Sequence, residues 1–185
     1  MSVDYLFLIG PRACGKSTVG SAVRRCLKHW WFVDLDHEFH SQYGARADAQ
    51  LMLQPGKYYE ASRDILLKML DRRWVIMALG GGTLINPANP GGDSDVVLEL
   101  KKRGPLVLLL PSRFDYLSRR ILYRRERQRE YGLPKRSLEN LRAVTFRQYN
   151  TRIDFFRANA DLVLYGRDPE ALARRIVAHY RLSSD

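Results

Sequence analysis

The residues best suited to chemistry form a glycine-rich loop near the start of the chain, Gly10-Pro11-Arg12-Ala13-Cys14-Gly15-Lys16-Ser17-Thr18. Two spaced glycines followed by a lysine and a hydroxyl residue are typical of a phosphate-binding loop, whose backbone N–H groups surround the anion. In such a loop the lysine reaches the outer phosphates of a nucleotide and the hydroxyl contributes to a Mg²⁺ site. The glycines fit because a tight turn close to phosphate leaves no room for a Cβ atom. The stretch therefore predicts a nucleotide site at Gly10, Ala13, Cys14, Gly15, Lys16, Ser17 and Thr18.

A pair of carboxylates follows the next apolar stretch. Asp34 and Asp36 come directly after the run 30–33, which predicts a buried strand. In an extended segment alternate side chains point to one side, so both carboxylates are expected to face the same space. Ligands of open parallel sheets gather at the carboxyl ends of the strands. The alternative is that the two aspartates cap a helix or turn, since the stretch 37–43 can form a helix.

Three consecutive glycines follow another apolar run. Gly80, Gly81 and Gly82 come after the stretch 74–79, which predicts a central strand buried on both faces. Glycines at the carboxyl end of a strand permit close approach of the backbone to a ligand. A flexible turn is the alternative, because Pro, Asn and Gly continue through 86–92.

Strands and helices must alternate to bring these groups to one edge. Apolar runs predict five strands at 5–9, 30–33, 74–79, 105–110 and 161–164. Helical patterns are found at 19–27, 37–43, 59–70 and 96–102, from Ser112 or Arg113, from Ser137, and at 169–180. This alternation implies a parallel sheet covered on both faces, hence a P-loop α/β domain. The 185 residues suit a single domain over 1–185, in which the segment 37–70 is the place for substrate binding.

A dense run of arginines lies in the predicted helix after the fourth strand. Its members are Arg119, Arg120, Arg124, Arg125, Arg127 and Arg129. Beside a phosphate site, such a run is suited to a mobile lid, here about 120–137, that covers the nucleotide and neutralises charge in the transition state. Whether or not the segment is a lid, we expect most of these arginines to lie on a solvated basic face of the helix.

Composition narrows the function classes. The net charge of +11 favours phosphate handling or a general affinity for polyanions. No nucleic-acid module has its usual signature, so we expect no specific nucleic-acid partner. A signal sequence and an apolar stretch of membrane-spanning length are both missing, so we expect a cytoplasmic protein that does not bind membranes. We also expect a monomer. Two cysteines do not indicate a disulfide framework, and the four histidines lack zinc-site spacing.

The combination of these motifs resembles the shikimate kinase family. The resemblance covers nearly the whole chain and includes the loop 10–18, the stretch 32–36, the glycines 80–82 and an arginine before the last strand. It implies that ATP and Mg²⁺ bind at Lys16 and Ser17, that Asp34 supports the magnesium shell, and that Asp36 contacts the acceptor hydroxyls.

The same resemblance implies further roles. Gly80, Gly81 and Gly82 line the acceptor pocket, and Arg152 holds the substrate carboxylate. Arg120 is the best match to an arginine that packs against adenine. With Lys16 and Asp36 as the catalytic pair, the predicted activity is transfer of the ATP γ-phosphate to a hydroxyl of shikimate, a step of aromatic amino-acid biosynthesis.

Two positions depart from the family pattern. Glu60 stands where the family's Phe-Arg pair has its carboxylate-binding arginine, and Leu133 replaces the arginine of the lid's Arg-Pro pair. A charged hydrogen bond of this kind contributes about 1.5–3 kcal/mol. Arg63 is a candidate replacement one helical turn beyond Glu60, as Lys135 or Arg136 is in the lid. The alternatives are therefore a kinase of another small hydroxylated metabolite and a non-catalytic ATP-binding module.

Overall fold

The fold is built on one parallel five-stranded sheet. The computed structural model describes residues 3–11, 13–52, 54–86, 94–110 and 138–183, without the side chains of 45–52, 55, 94, 138–142, 144–146 and 148. The strands are β1 (Tyr5–Ile9), β2 (Trp31–Asp34), β3 (Val75–Ala78), β4 (Leu106–Leu110) and β5 (Leu162–Tyr165). Their order is β2-β3-β1-β4-β5, and every neighbouring pair is parallel. The predicted α/β fold class is confirmed.

The strand β1 lies at the centre of the sheet. Leu6 is paired with Ile76 of β3, and Leu8 with Val107 of β4. All five residues of β1, all four of β3 and all five of β4 are buried. Continuous apolar strands are expected where helices cover both faces of a parallel sheet. The loops that follow β1, β2 and β3 consequently meet at the same edge.

Six helices connect or flank the strands in the described ranges. They are α1 (Lys16–Cys26), α2 (Leu35–Met52), α3 (Pro55–Met69), α4 (Ser94–Lys101), α5 (Leu138–Asn159) and α6 (Pro169–Tyr180). The prediction for α6 is confirmed, with Pro169 in the first turn and the Asp168 side chain accepting a hydrogen bond from the Glu170 N–H. None of the helices described has the length and apolar character that a membrane crossing requires.

The segment 44–60 is more helical than predicted. The sequence predicts helices at 37–43 and 59–70, but α2 continues to Met52 and α3 begins at Pro55. A break within α2 occurs at Gly44, whose φ of 75° and ψ of 164° are not helical. Pro55 begins α3 instead of interrupting it, because proline lacks only an N–H that is unpaired in the first turn.

Alternate residues of β1 face two separate layers of helices. Tyr5, Phe7 and Ile9 belong to a core cluster that includes residues of α2, α3, α4 and α5. Leu6 and Leu8 belong to the opposite cluster, which is completed by α1 and α6. The sheet lies between these two layers, so both layers fix the positions of the segments that leave its carboxyl edge.

Candidate functional site

The loop after β1 has the backbone of a phosphate cradle. Gly10 and Gly15 have φ values of 139° and 94°, which favour glycine. A Cβ atom on Gly10 would lie 2.6 Å from the carbonyl oxygen of Leu109, so the sheet itself excludes a side chain there. Ala13 also has a positive φ, of 63°, in the left-handed region that favours glycine. The loop therefore makes its turn with a non-glycine residue, Ala13, whose backbone conformation is strained.

The helix α1 directs its amino end at this loop. Gly15 is its N-cap and makes no side-chain hydrogen bond, and the first turn contains no acidic residue. The first N–H groups of a helix have no partner within the helix, and the dipole gives this end a positive partial charge. The arrangement suits an anion bound by the backbone of Lys16, Ser17 and Thr18.

Lys16 is folded over the loop that it belongs to. Its side chain is only 8% exposed, and Nζ donates to the carbonyl oxygens of Gly10 at 3.0 Å and Pro11 at 3.1 Å. The sulfur of Cys14 lies 3.9 Å from the same ammonium group. Both cysteines of the chain are free thiols, and the half-buried Cys14 fills space beside Gly10. The loop therefore holds one buried positive charge where the outer phosphates of a nucleotide are expected.

Asp34 connects this loop to the second strand. Ser17 donates its hydroxyl hydrogen to Oδ2 of Asp34. The other oxygen, Oδ1, accepts hydrogen bonds from the backbone N–H groups of Asp36 at 3.1 Å and His37 at 3.3 Å. Asp34 therefore caps α2 and holds Ser17 at once, so the helix-capping alternative and the binding interpretation are compatible for this residue.

Asp36 reaches the same edge by a route that we did not predict. The expectation that Asp34 and Asp36 share one side of an extended segment is wrong, because β2 ends at Asp34 and α2 begins at Leu35. Asp36 lies in the first turn of α2, with Oδ1 against Gly80. A Cβ atom on Gly80 would collide with that carboxylate and would lie 2.9 Å from Oγ1 of Thr83. Glycine is needed at position 80 because Asp36 occupies the space.

The glycine turn is also in contact with the late arginine. Gly80 and Gly81 are buried, and Gly82 is half-buried. Arg152 on α5 donates from Nη1 to the carbonyl oxygen of Gly81 at 2.9 Å. Residues that are distant in sequence are thus in contact, as the predicted acceptor set requires. The glycine turn is ordered by hydrogen bonds from Thr83 N to Gly80 O and from Ile85 N to Gly82 O, each of 3.1 Å.

The helix α3 contributes a residue that the sequence did not single out. The hydroxyl of Tyr58 lies 3.4 Å from Oδ1 of Asp36 and donates to it. Glu60 is exposed, two residues and about 200° around the helix from Tyr58. Half-buried Ala61 and buried Ser62 lie on the same side of the helix as Tyr58, one to either side of it around the helix axis. The side of α3 that faces Asp36 therefore carries neither Glu60 nor a cation.

Arg63 is exposed on α3, five residues and about 140° around the helix from Tyr58. Its place in the acceptor site stays a prediction. Arg120, Leu133, Lys135, Arg136 and the lid at about 120–137 lie outside the described residues, as Arg12 does. Their predicted roles are likewise untested.

Similarity to known proteins identifies the family. The shikimate kinase family model matches residues 12–180. The shikimate kinase of Cupriavidus pinatubonensis is 31% identical over 163 residues, which cover 86% of this chain and 76% of that protein. The chain belongs to the shikimate kinase family. The family resemblance inferred from the motifs is confirmed, as is the prediction of an ATP-dependent small-molecule kinase.

Other members of the family match over almost their full length. The shikimate kinase of Chromohalobacter salexigens is 28% identical over 184 residues, covering 97% of this chain and 93% of the relative. Among solved structures, the shikimate kinase of Acinetobacter baumannii in complex with shikimate has a TM-score of 0.72 and 22% identity. That alignment covers 97% of this chain and 94% of the neighbour. At this identity the structural likeness supports the fold alone.

Proposed function

We propose that this kinase transfers the γ-phosphate of ATP to a hydroxyl group of shikimate. One observation carries the proposal: a run of contacts joins the phosphate loop to the acceptor side. Ser17 bonds to Asp34, Asp34 accepts the N–H of Asp36, and Asp36 lies against Gly80. Gly80 is followed by Gly81, whose carbonyl oxygen accepts from Arg152. Phosphoryl transfer depends chiefly on positioning and charge neutralisation, and this arrangement offers both.

The nucleotide half works through charge. Lys16 donates to two carbonyl oxygens of its own loop, and phosphate oxygens are stronger acceptors than carbonyls because they are charged. When ATP binds, we expect Nζ to exchange those carbonyls for the β- and γ-phosphates. The N–H groups at the start of α1 supply further donors, so negative charge that develops during transfer is neutralised by groups already in place.

Ser17 and Asp34 fit a Mg²⁺ ion. A hydroxyl and a carboxylate that already contact one another are the hard oxygen ligands that this ion prefers. Mg²⁺ usually takes few protein ligands and completes its shell with substrate phosphates and water, so two side chains are sufficient. When bound, the ion would neutralise charge on the phosphates.

The acceptor half works through Asp36 and Arg152. Asp36 accepts a hydrogen bond from the attacking hydroxyl and orients its oxygen in line with the γ-phosphorus. As the new O–P bond forms and ADP departs, the hydroxyl proton passes to the Asp36 carboxylate. Arg152, positioned through the Gly81 carbonyl, binds the carboxylate of shikimate and fixes the distance between that anion and the reacting hydroxyl.

A second candidate function follows from α3. The side of this helix near Asp36 carries Tyr58, Ala61 and Ser62, so it provides no arginine for a substrate carboxylate. An acceptor site with Arg152 and no arginine from this side of α3 also suits a hydroxylated metabolite with less negative charge. Asp36 keeps the same role in that reaction.

A coupled ADP-release assay separates these functions. The pure protein is assayed with shikimate and with a panel of small hydroxylated metabolites, beside the Lys16→Met and Asp36→Asn variants. We expect shikimate-dependent ADP release that both variants lose. ADP release with another acceptor and not with shikimate would contradict shikimate as the acceptor and support the second candidate function. ATP binding without turnover of any acceptor would contradict both functions.

A further inference from the structure

Tyr58 occupies a position at the acceptor site for which the motifs give no role. It lies in the first turns of α3, while Asp36 lies in the first turn of α2. Its hydroxyl donates to Oδ1 of Asp36 at 3.4 Å, which is longer than the usual distance between two oxygens in a hydrogen bond. Catalytic hydrogen bonds are often long before the substrate binds and become shorter in the reacting complex.

The ring of Tyr58 is held by aromatic packing. Its centroid lies 4.7 Å from that of Phe39, with an angle of 41° between the planes. Phe39 is 1% exposed in the core and also packs on Tyr43, at 4.8 Å. Aromatic pairs at these separations are favourable, and a buried phenylalanine has few alternative rotamers. The packing therefore fixes the direction in which the Tyr58 hydroxyl points.

Asp36 is held at its backbone N–H and at one oxygen of its carboxylate. The backbone N–H of Asp36 donates to Oδ1 of Asp34. Oδ1 of Asp36 lies against Gly80. The Tyr58 hydroxyl engages that same Oδ1. Both of these side-chain contacts are at Oδ1, and we assign Oδ2 to the hydrogen bond with the acceptor.

We infer that Tyr58 is a positioning residue, which fixes the Asp36 carboxylate so that Oδ2 meets the acceptor hydroxyl. The inference rests on the proposed role of Asp36 in phosphoryl transfer. Tyr58 acts through Asp36 and does not bind the acceptor itself. Its loss is therefore expected to lower the rate of the chemical step and to leave substrate affinity nearly unchanged.

Steady-state kinetics of Tyr58→Phe test the inference. The variant keeps the ring that packs on Phe39 and removes only the hydroxyl. We expect kcat to fall about tenfold or more, as for loss of a hydrogen bond to a charged group, while the KM values for ATP and acceptor change by less than about twofold. Tyr43→Phe is the matched control, because its ring contacts Phe39 in the same way. It is expected to retain the wild-type kcat.

Rates are expressed per nucleotide-binding site, measured by titration of each preparation with an ATP analogue, so that partial unfolding does not imitate a fall in kcat. A Tyr58→Phe kcat within about twofold of wild type would overturn the inference, and so would a rise in acceptor KM at constant kcat. An equal loss in Tyr43→Phe would attribute the effect to packing and overturn it as well. Wild-type protein that phosphorylates no acceptor would refute the proposed function and, with it, the role of Tyr58.

Discussion

The phosphate loop and the acceptor pocket meet at one edge of the sheet, yet they are built in different ways. The loop 10–18 is continuous in sequence, and its binding groups are backbone N–H groups together with Lys16. The acceptor side collects Asp36 from α2, Tyr58 from α3, the turn 80–82 and Arg152 from α5. These four segments are distant in sequence, and contacts between their residues bring them together.

This difference explains where the chain departs from its family. A cradle made by the backbone tolerates few substitutions, because Gly10 has a positive φ and lies against the Leu109 carbonyl. A pocket made by side chains can lose one cation and keep its shape, as on α3, where Ala61 and Ser62 flank the direction of Tyr58. We therefore expect an affinity for ATP that is typical of the family. We expect affinity for the acceptor to depend on fewer charged contacts than in other members of the family.

Loss of the cradle lysine has the largest expected effect. Lys16→Met removes the buried charge that faces the outer phosphates, so kcat is expected to fall at least about 10²–10³-fold, as when one preorganised donor to a transition-state charge is removed. The measurement is ADP release at saturating acceptor. Lys28→Met, at an exposed lysine just beyond α1, is the matched control and is expected to retain activity. Equal loss in both variants would contradict a specific role for Lys16.

Gly80→Ala should affect the acceptor side alone. The added methyl group collides with Asp36, and displacement of a catalytic group by about 1 Å can cost about 10²-fold in rate. Binding of an ATP analogue is expected to stay unchanged, since Gly80 is not part of the phosphate loop. Gly56→Ala is the control, because a Cβ atom there has no neighbour within 4 Å. Wild-type kcat in Gly80→Ala would show that Asp36 can move without loss of function.

Arg152→Gln is expected to raise the KM for shikimate by about 10- to 100-fold, because about 1.5–3 kcal/mol of charged hydrogen bonding is lost. The KM for ATP should change little. Arg157→Gln on the same helix is exposed and serves as the control. A larger change in the KM for ATP than in that for shikimate would place Arg152 on the nucleotide side.

The smallest effect tests which side of α3 faces the acceptor. Ala61→Arg introduces a cation beside the Tyr58 direction, and we expect the KM for shikimate to fall by up to about tenfold through a new charged hydrogen bond. Glu60→Arg places the same side chain on the exposed side and is expected to have a weaker effect. The opposite ranking would show that position 60 faces the pocket.

The sequence was sufficient where local rules decide the structure. The loop 10–18 follows from its glycine spacing, and α6 has the predicted bounds because Asp168 and Pro169 start a helix by capping and ring geometry. The sheet follows from apolar runs that alternate with helices. The loop, α6 and each separate strand depend on residues that are close in the chain, whereas the pairing of strands joins distant residues such as Leu6 and Ile76.

The placement of Asp36 on a helix follows from local capping of α2 by Asp34, which the sequence left as an alternative to continuation of the strand. Features set by tertiary contacts could not be predicted. Tyr58 belongs to no motif, and only the packing of α3 on α2 through Phe39 brings it to Asp36. The direction of the Glu60 side chain likewise depends on the rotation of α3 about its axis, which resemblance to a short family motif does not determine.

The central claim is that the phosphate cradle and the acceptor pocket form one in-line site for phosphoryl transfer to shikimate. Its most direct test is transfer of radiolabel from the γ-phosphate of ATP, with separation of labelled acceptor from labelled inorganic phosphate. We predict labelled shikimate phosphate with wild-type protein and its loss in Asp36→Asn, while ATP-analogue binding persists. Label that appears only in inorganic phosphate, or transfer to shikimate that is undiminished in Asp36→Asn, would contradict the claim.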